Sequence, residues 1–300
     1  MKKLLSAVIG LCLLPFGIFA HGDESHSPVK QEVPVKVTKL TGNVFMLQGR
    51  GGNIGVLTGP EGILIVDDDY KEMGEKVRDA LKGLGSPNPR FIMNTHWHGD
   101  HTQNNIFFGK DAVILAHENV RKRLLDPPVI FGQKIEPYPS YALPIVTYTE
   151  SMSMHLNGED IKMVHYANGH TDGDSIIFFK KANVVHMGDH FFIGFFPFID
   201  LDSGGSVQGV INNVRSLIAT IPPDAKIIPG HGPLATLDDL KAFHAMLVET
   251  TTIVQEQMKA GKTLDEIKKA GLPAKYDAIG NGFIKTPFWL EIIHRSYSKK

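Results

Sequence analysis

The chain has 300 residues, enough for one large domain or two small ones, and 42% of them are apolar, which excludes wholesale disorder. A formal charge of -1, from 31 basic and 32 acidic side chains, gives none of the basic excess that a nucleic-acid footprint requires.

In chain order, the first expected element is a targeting segment over residues 1–20. Lys2 and Lys3 give a positive start, Leu4 to Phe19 is a nearly unbroken apolar run, and Ala20 suits the cut. The run is slightly short for a membrane span, so a cleaved secretory signal peptide is expected. The mature protein is then exported to the periplasm or the extracellular space, without stable membrane insertion. Removal of the segment leaves 29 basic against 32 acidic residues and takes away Cys12, the one cysteine. The mature chain therefore has no disulfide and no thiolate nucleophile, and its stability rests on its core or on metal.

Residues 21–36, polar with two prolines, read as a mobile leader, and residues 37–300 as one domain with a helical C-terminus. Short β-type runs are predicted at 43–47, 53–57 and 62–66, separated by turns rich in glycine. Met73, Val77, Leu81 and Leu84 recur at helical spacing within 70–84, and Gly85 and Pro87 stop that helix. Strands follow at 91–95 and 112–116, with a helix at 118–125. Residues 126–144, with five prolines and with Phe131, Tyr138 and Tyr141, read as a long irregular loop, either a lid or a plain covering segment. The pattern then repeats: strands at 151–156, 161–166, 175–179 and 183–187, a helix at 207–221, a strand at 226–228, and helices at 237–260, 263–270 and 286–297. Strands followed by helices, twice over, predict two sheets packed together with helices outside.

The densest chemistry is His96-Trp97-His98-Gly99-Asp100-His101, three imidazoles and a carboxylate within six residues. These are the donor types that zinc and neighbouring divalent metals accept. On an extended strand His96, His98 and Asp100 share one face, and Trp97 points to the other, into the core. Further candidates stand at the ends of later β-type runs: Gly169-His170-Thr171, Gly188-Asp189-His190 and Pro229-Gly230-His231-Gly232. Glycine beside histidine marks tight turns where backbone can approach an ion.

The ordered set HxHxDH, GHT, GD and PGHG resembles the metallo-β-lactamase superfamily over about residues 37–260, and Leu64-Ile65-Val66-Asp67 is similar to that family's first motif. The resemblance implies an α/β fold, a four-layer αββα sandwich with the metal site along one edge of the paired sheets. It implies two Zn2+ per chain, although the same donors suit iron or manganese. One ion would be held by His96, His98 and His170, the other by Asp100, His101 and His231, with Asp189 and a hydroxide bridging both. Asp100 is also the candidate catalytic residue. Asp67 and Thr171 would orient the ligands from behind. A net positive charge left on such a centre favours an anionic or carbonyl-polarised substrate.

The implied activity is hydrolysis of an ester, lactone, thioester or amide by the bridging hydroxide, with a β-lactam among the candidates. Phe192 stands where the cysteine-containing β-lactamases usually place a lysine to grip the antibiotic's carboxylate, and it is a candidate substrate contact in the aromatic segment 191–202. The partner expected is a small carbonyl-containing molecule, anionic or partly apolar, and not a nucleic acid. Two alternatives stay open: an iron-dependent oxidoreductase of the persulfide dioxygenase type, and a non-catalytic accessory protein that holds metal. The other histidines lack motif context and read as surface or satisfied core residues, with His190 the best exception. Asp68 and Asp69 read as solvated or turn residues.

Overall fold

The computed structural model describes residues 33–298, so the expected signal peptide and most of the leader lie outside the described residues. The first half builds a seven-stranded sheet whose strands lie side by side in chain order. Strands β1 (Lys36–Lys39), β2 (Val44–Gln48), β3 (Ile54–Leu57) and β4 (Leu64–Val66) form an antiparallel meander. The chain then crosses over helix α1 (Gly74–Gly83) to β5 (Phe91–Met93), and over the short helices α2 (Gly99–Thr102) and α3 (Asn105–Phe108) to β6 (Val113–His117). Both crossovers make parallel pairs, β4 with β5 and β5 with β6. Helix α4 (Glu118–Leu125) and the proline-rich loop lead to the edge strand β7 (Val146–Tyr148).

The second half gives a five-stranded sheet. Strands β8 (Ser151–Leu156), β9 (Glu159–His165), β10 (Ser175–Phe179) and β11 (Val184–His186) run antiparallel. Helix α5 (Val207–Thr220) then carries the chain to β12 (Lys226–Ile228), parallel to β11. Helices α6 (Leu237–Lys259), α7 (Leu264–Ala270), α8 (Asp277–Gly280) and α9 (Thr286–Ser298) complete the C-terminus.

Period-two alternation sorts the strand side chains into layers. Leu64 and Val66 face the second sheet, where they pack with Met93, Met163, Ile177 and Ile228. Ile65 and Ile92 point the other way, onto Val77 and Leu81 of α1. In β10, Ile177 faces inward while Ile176 packs outward with Val185 against α5, α6 and α9, through Val214, Leu247 and Trp289. The result is the four-layer αββα arrangement expected. Burial on both faces explains why these strands read as continuous apolar runs.

The structure departs from the expected elements where apolar signal is weak. β1 is mostly exposed and carries Lys36 and Lys39, a common way to protect a sheet edge. No apolar run marked it, nor the edge strand β7. Val33 and Val35, from the expected leader, pack against the outer layer beside α1, so the body begins before Val37. Among the described residues, no helix is long and apolar enough to cross a membrane.

Candidate metal centre

Four chain segments converge at the carboxyl ends of the parallel strands. Asp67 follows β4, His96 and His98 follow β5, Asp189 follows β11 and His231 follows β12. His170 arrives on the turn between β9 and β10. Ligand sites at this end of parallel strands are a general property of α/β sheets. The strand expected over 91–95 stops at Met93, and Gly99–Thr102 is helical. Asp100 therefore reaches the site from a helical turn rather than along a shared strand face. Trp97 is buried among Ala116, Val120 and Leu124, with its ring edge-on to His98 (centroids 4.8 Å apart).

The converging donors fall into two groups: His96, His98, His170 and Asp189, and Asp100, His101 and His231. Within each group the donor atoms lie within 4.8 Å of one another. Asp189 presents one oxygen to each. Its Oδ2 is 3.7 Å from His96 Nε2 and 3.4 Å from His170 Nε2, and its Oδ1 is 3.1 Å from His101 Nε2 and 3.5 Å from His231 Nε2. Asp100 Oδ2 lies 3.2 Å from His231 Nε2 and 3.6 Å from His101 Nε2.

The tautomers are set from outside. His98 Nε2–H donates to Asp200 (3.0 Å), His101 Nδ1–H to Asp67 (2.7 Å), His170 Nδ1–H to the Phe198 carbonyl (2.7 Å) and His96 Nδ1–H to Thr95 Oγ1 (3.0 Å). Each ring thus turns its acceptor nitrogen inward, as metal-ligating imidazoles do. Two of those acceptors, His98 Nδ1 and His170 Nε2, are 2.8 Å apart, where facing lone pairs require a cation or a proton between them. Among the described residues, His96 Nε2 and Asp189 Oδ1 are buried without a hydrogen bond. Donors of this chemistry, aimed at common centres and left unsatisfied, fit divalent cations.

Close backbone approach completes the cradle. A Cβ at Gly52 would sit 2.1 Å from His101 Cε1, and one at Gly230 would sit 2.1 Å from Asp189 Oδ1. Glycine at these two positions leaves the room the ligands need.

Asp67 accepts from Thr95 N (2.7 Å) and Thr95 Oγ1 (2.8 Å) as well as from His101. It therefore orients a ligand and anchors the residue before His96. Thr171 does not touch the His170 ring. Its hydroxyl bonds Asp174 (2.5 Å) and holds the turn after His170, while the Phe198 carbonyl orients the imidazole. His190 is buried beside Asn213 (3.1 Å) and belongs to neither donor group.

Asp68 and Asp69, expected as solvated or turn residues, are not solvated: both are fully buried. Asp69 accepts from the amides of Arg50 (3.0 Å), Gly51 (2.6 Å) and Tyr70 (2.7 Å) and so ties down the glycine-rich turn beside Asp100. Asp68 accepts from Asn104 N (2.9 Å). Backbone donors satisfy the Asp69 carboxylate, whereas Asp68 Oδ2 is buried without a hydrogen bond among the described residues and burial holds that carboxyl well above its usual range, which a run of like charges in sequence does not suggest. Asp200, the partner of His98, carries no sequence signal of that role either. It lies 102 positions away, and no local pattern marks it.

Burial holds His96 neutral and brings His170 down to about 4. Burial also acts against protonation of His101 and His231, but the carboxylates of Asp189 and Asp100 outweigh it, and His231 rises to about 9. For Asp100 burial raises the pKa and the two imidazoles pull it back further, to about 2. At neutral pH the His101–His231 pair thus holds a proton that a cation must displace, whereas His96 and His170 are already unprotonated. Cation affinity at the Asp100 group is therefore expected to rise with pH up to about 9 and to be accompanied by proton release. Zinc calorimetry in buffers of different ionisation enthalpy checks this, and equal proton release on filling both groups would contradict it.

The donor groups open into a cleft of about 450 Å3, lined on one side by Arg50, Tyr70, Asp100 and Gln103 and on the other by aromatic side chains. Phe192 is part of that wall, with its ring stacked on His231 (centroids 5.3 Å apart, planes 12° apart).

Comparison with known proteins agrees with this arrangement. The family model of the metallo-beta-lactamase superfamily matches residues 38–231. A Bacillus subtilis (strain 168) protein described as the probable metallo-hydrolase YqgX is 25% identical over 162 residues, 53% of this chain and 76% of that protein. Among solved structures, the DIM-1 metallo-beta-lactamase matches with a TM-score of 0.60 at 16% identity, over 73% of this chain and 99% of its own. A metallo-beta-lactamase from Pontibacter korlensis matches with a TM-score of 0.60 at 16% identity, over 71% and 98%. A double mutant of the sec-alkyl sulfatase PisA1 gives 0.65 at 12% identity, over 88% of this chain and 50% of that one.

Proposed function

The chain belongs to the metallo-beta-lactamase superfamily, and from that premise we propose that it is a binuclear zinc hydrolase cleaving an ester, lactone, thioester or amide bond of a small carbonyl compound. The observation that carries this reading is Asp189, whose two oxygens face two separate donor groups, as a carboxylate shared by two ions would. Two divalent cations held there would polarise a carbonyl and lower the pKa of water enough for attack near neutrality.

The protein's own side chains supply the rest. His96, His98 and His170 would hold one cation and Asp100, His101 and His231 the other. Asp100 remains anionic at neutral pH, so it accepts a hydrogen from the attacking water rather than donating one to the substrate. Burial, then the nearby Asp100, keeps the Tyr70 phenol protonated by pushing its pKa to about 12. Tyr70 lines the same cleft, which supports its phenol as the hydrogen-bond donor to a leaving group. Tyr70→Phe is expected to lower kcat by about 10- to 100-fold, with metal content retained. An unchanged kcat on an unactivated ester would remove Tyr70 from the mechanism.

Export to the periplasm or beyond is supported by the N-terminal segment alone, Lys2, Lys3 and the apolar run after them. The metallo-beta-lactamases among the structural neighbours support a β-lactam as one substrate to try. The test is metal analysis of the purified chain together with a panel of nitrocefin, lactones, thioesters and p-nitrophenyl esters. Two equivalents of zinc and metal-dependent turnover on a panel member are expected. No turnover with both metals present would overturn the hydrolase reading, and one iron with oxygen uptake would point to persulfide dioxygenase-type chemistry.

A further inference from the structure

Resting on the hydrolase reading, the geometry points to a neutral substrate with an extended apolar arm, held along an aromatic wall that runs through Phe131 to Phe283 at the mouth of the cleft. Hydrolysis adds the OH of water to the acyl carbon, and the remaining hydrogen goes to the departing oxygen, sulfur or nitrogen.

The wall begins at the ligands. The Phe198 ring lies 5.8 Å from His98 and 5.9 Å from His170. Phe131 lies 4.7 Å from Phe198, and Phe283 lies 6.1 Å from Phe131, so rings succeed one another from the metal centre to the mouth of the cleft. Phe131 and Phe283 are 54% and 78% exposed. Two large aromatic rings left in water at the rim of an apolar cleft mark a surface that something covers.

The backbone under Phe131 makes the same point. Ile130 and Gln133 exchange both amide hydrogen bonds (3.1 and 2.9 Å) around a two-residue turn formed by Phe131 and Gly132. Both residues have positive φ, 49° and 74°. Such turns favour asparagine or glycine at the first position, and a bulky aromatic there is a conformational outlier. The strain sets a phenyl ring over the cleft where local propensity alone would choose Asn, the kind of conflict seen at functional sites.

Charge complements the shape. Among the residues lining the cleft, Arg50 is the one permanently cationic side chain, and its Nη1 is tied to Glu72 (2.8 Å). The far wall carries Ile130, Ile135 and phenylalanines, with no cation to hold a carboxylate on the arm.

The experiment compares the full zinc-loaded chain on p-nitrophenyl acetate, butyrate and octanoate. Each methylene covered by the wall is worth up to about fourfold, so kcat/KM on octanoate should exceed that on acetate by at least about tenfold. In Phe131→Asn the octanoate-to-acetate ratio should fall about fivefold, with a Tm equal to or above that of the parent, because Asn tolerates the left-handed turn. Binding of the neutral apolar dye Nile red, followed by fluorescence, should weaken in parallel. Phe283→Ser, at a largely exposed position, should lower the ratio in the same direction and covers the case in which Phe131→Asn disturbs the loop. A ratio near one in the parent, or a ratio and probe affinity untouched by both substitutions, would overturn the proposal while leaving the hydrolase reading intact. Tight, Phe131-dependent probe binding without turnover of any ester would sustain the apolar grip and defeat the hydrolase reading.

Discussion

Replacing Asp189 with asparagine is expected to reduce turnover by at least about 10^3-fold, equivalent to about 4 kcal/mol of lost transition-state stabilisation. The substitution keeps the shape and removes the charge. That charge faces His96 and His170 through one oxygen and His101 and His231 through the other, so a single change weakens both donor groups. Asp189 is also the leading influence that holds His231 near 9 against burial. In the Asn variant, proton release on loading the Asp100 group should therefore diminish. Metal content by mass spectrometry of the purified protein, alongside kcat/KM on the best ester, checks the claim. Two tightly bound ions and near-parental turnover in Asp189→Asn would show that the carboxylate does not serve both groups.

The second large effect is on stability. Asp67→Ala is expected to lower the unfolding free energy by about 3–5 kcal/mol, because it strips a buried partner from His101 and leaves other donors unsatisfied. The carboxylate accepts from Thr95 N, Thr95 Oγ1 and His101 Nδ1, and both donor residues are buried. Residue 67 also sits at a φ of 64°, which an alanine disfavours by about another 1–2 kcal/mol. Asp67→Asn separates the two contributions. It tolerates the backbone and keeps one acceptor, so the stability loss should be smaller, while metal affinity still falls about 10- to 100-fold through the disoriented His101. Urea denaturation and competitive zinc titration measure the two effects. A loss below about 1 kcal/mol for Asp67→Ala would mean that water replaces the carboxylate without penalty.

Much of this was legible in the residues because strand and donor signals are local. The core strands announce themselves as apolar runs flanked by glycine, and the seven proposed ligands stand in short motifs at strand ends. What was not legible is non-local. Asp200 reaches His98 across 102 positions and the Phe198 carbonyl reaches His170 across 28, and neither contact leaves a mark in its own neighbourhood. The pair Asp68-Asp69 is illegible for a related reason: composition suggests solvation, whereas backbone amides of Arg50, Gly51 and Tyr70 permit burial of Asp69, and Asn104 N reaches one oxygen of Asp68. The helical turn at Gly99–Thr102 overrode the alternation expected of a strand, so Asp100 joins His101 and His231 rather than the face of His96 and His98.

Neither donor group is complete within one half of the chain. His96 and His98 come from the first sheet's side and His170 and Asp189 from the second, while Asp100 and His101 meet His231 and the other Asp189 oxygen across the same seam. Cations bound there would act as rivets between the two layers, and ion occupancy becomes a gauge of how well the sheets are docked. Chelation should then do more than silence chemistry: it should loosen the joint and let the halves melt with less cooperativity than the loaded protein shows.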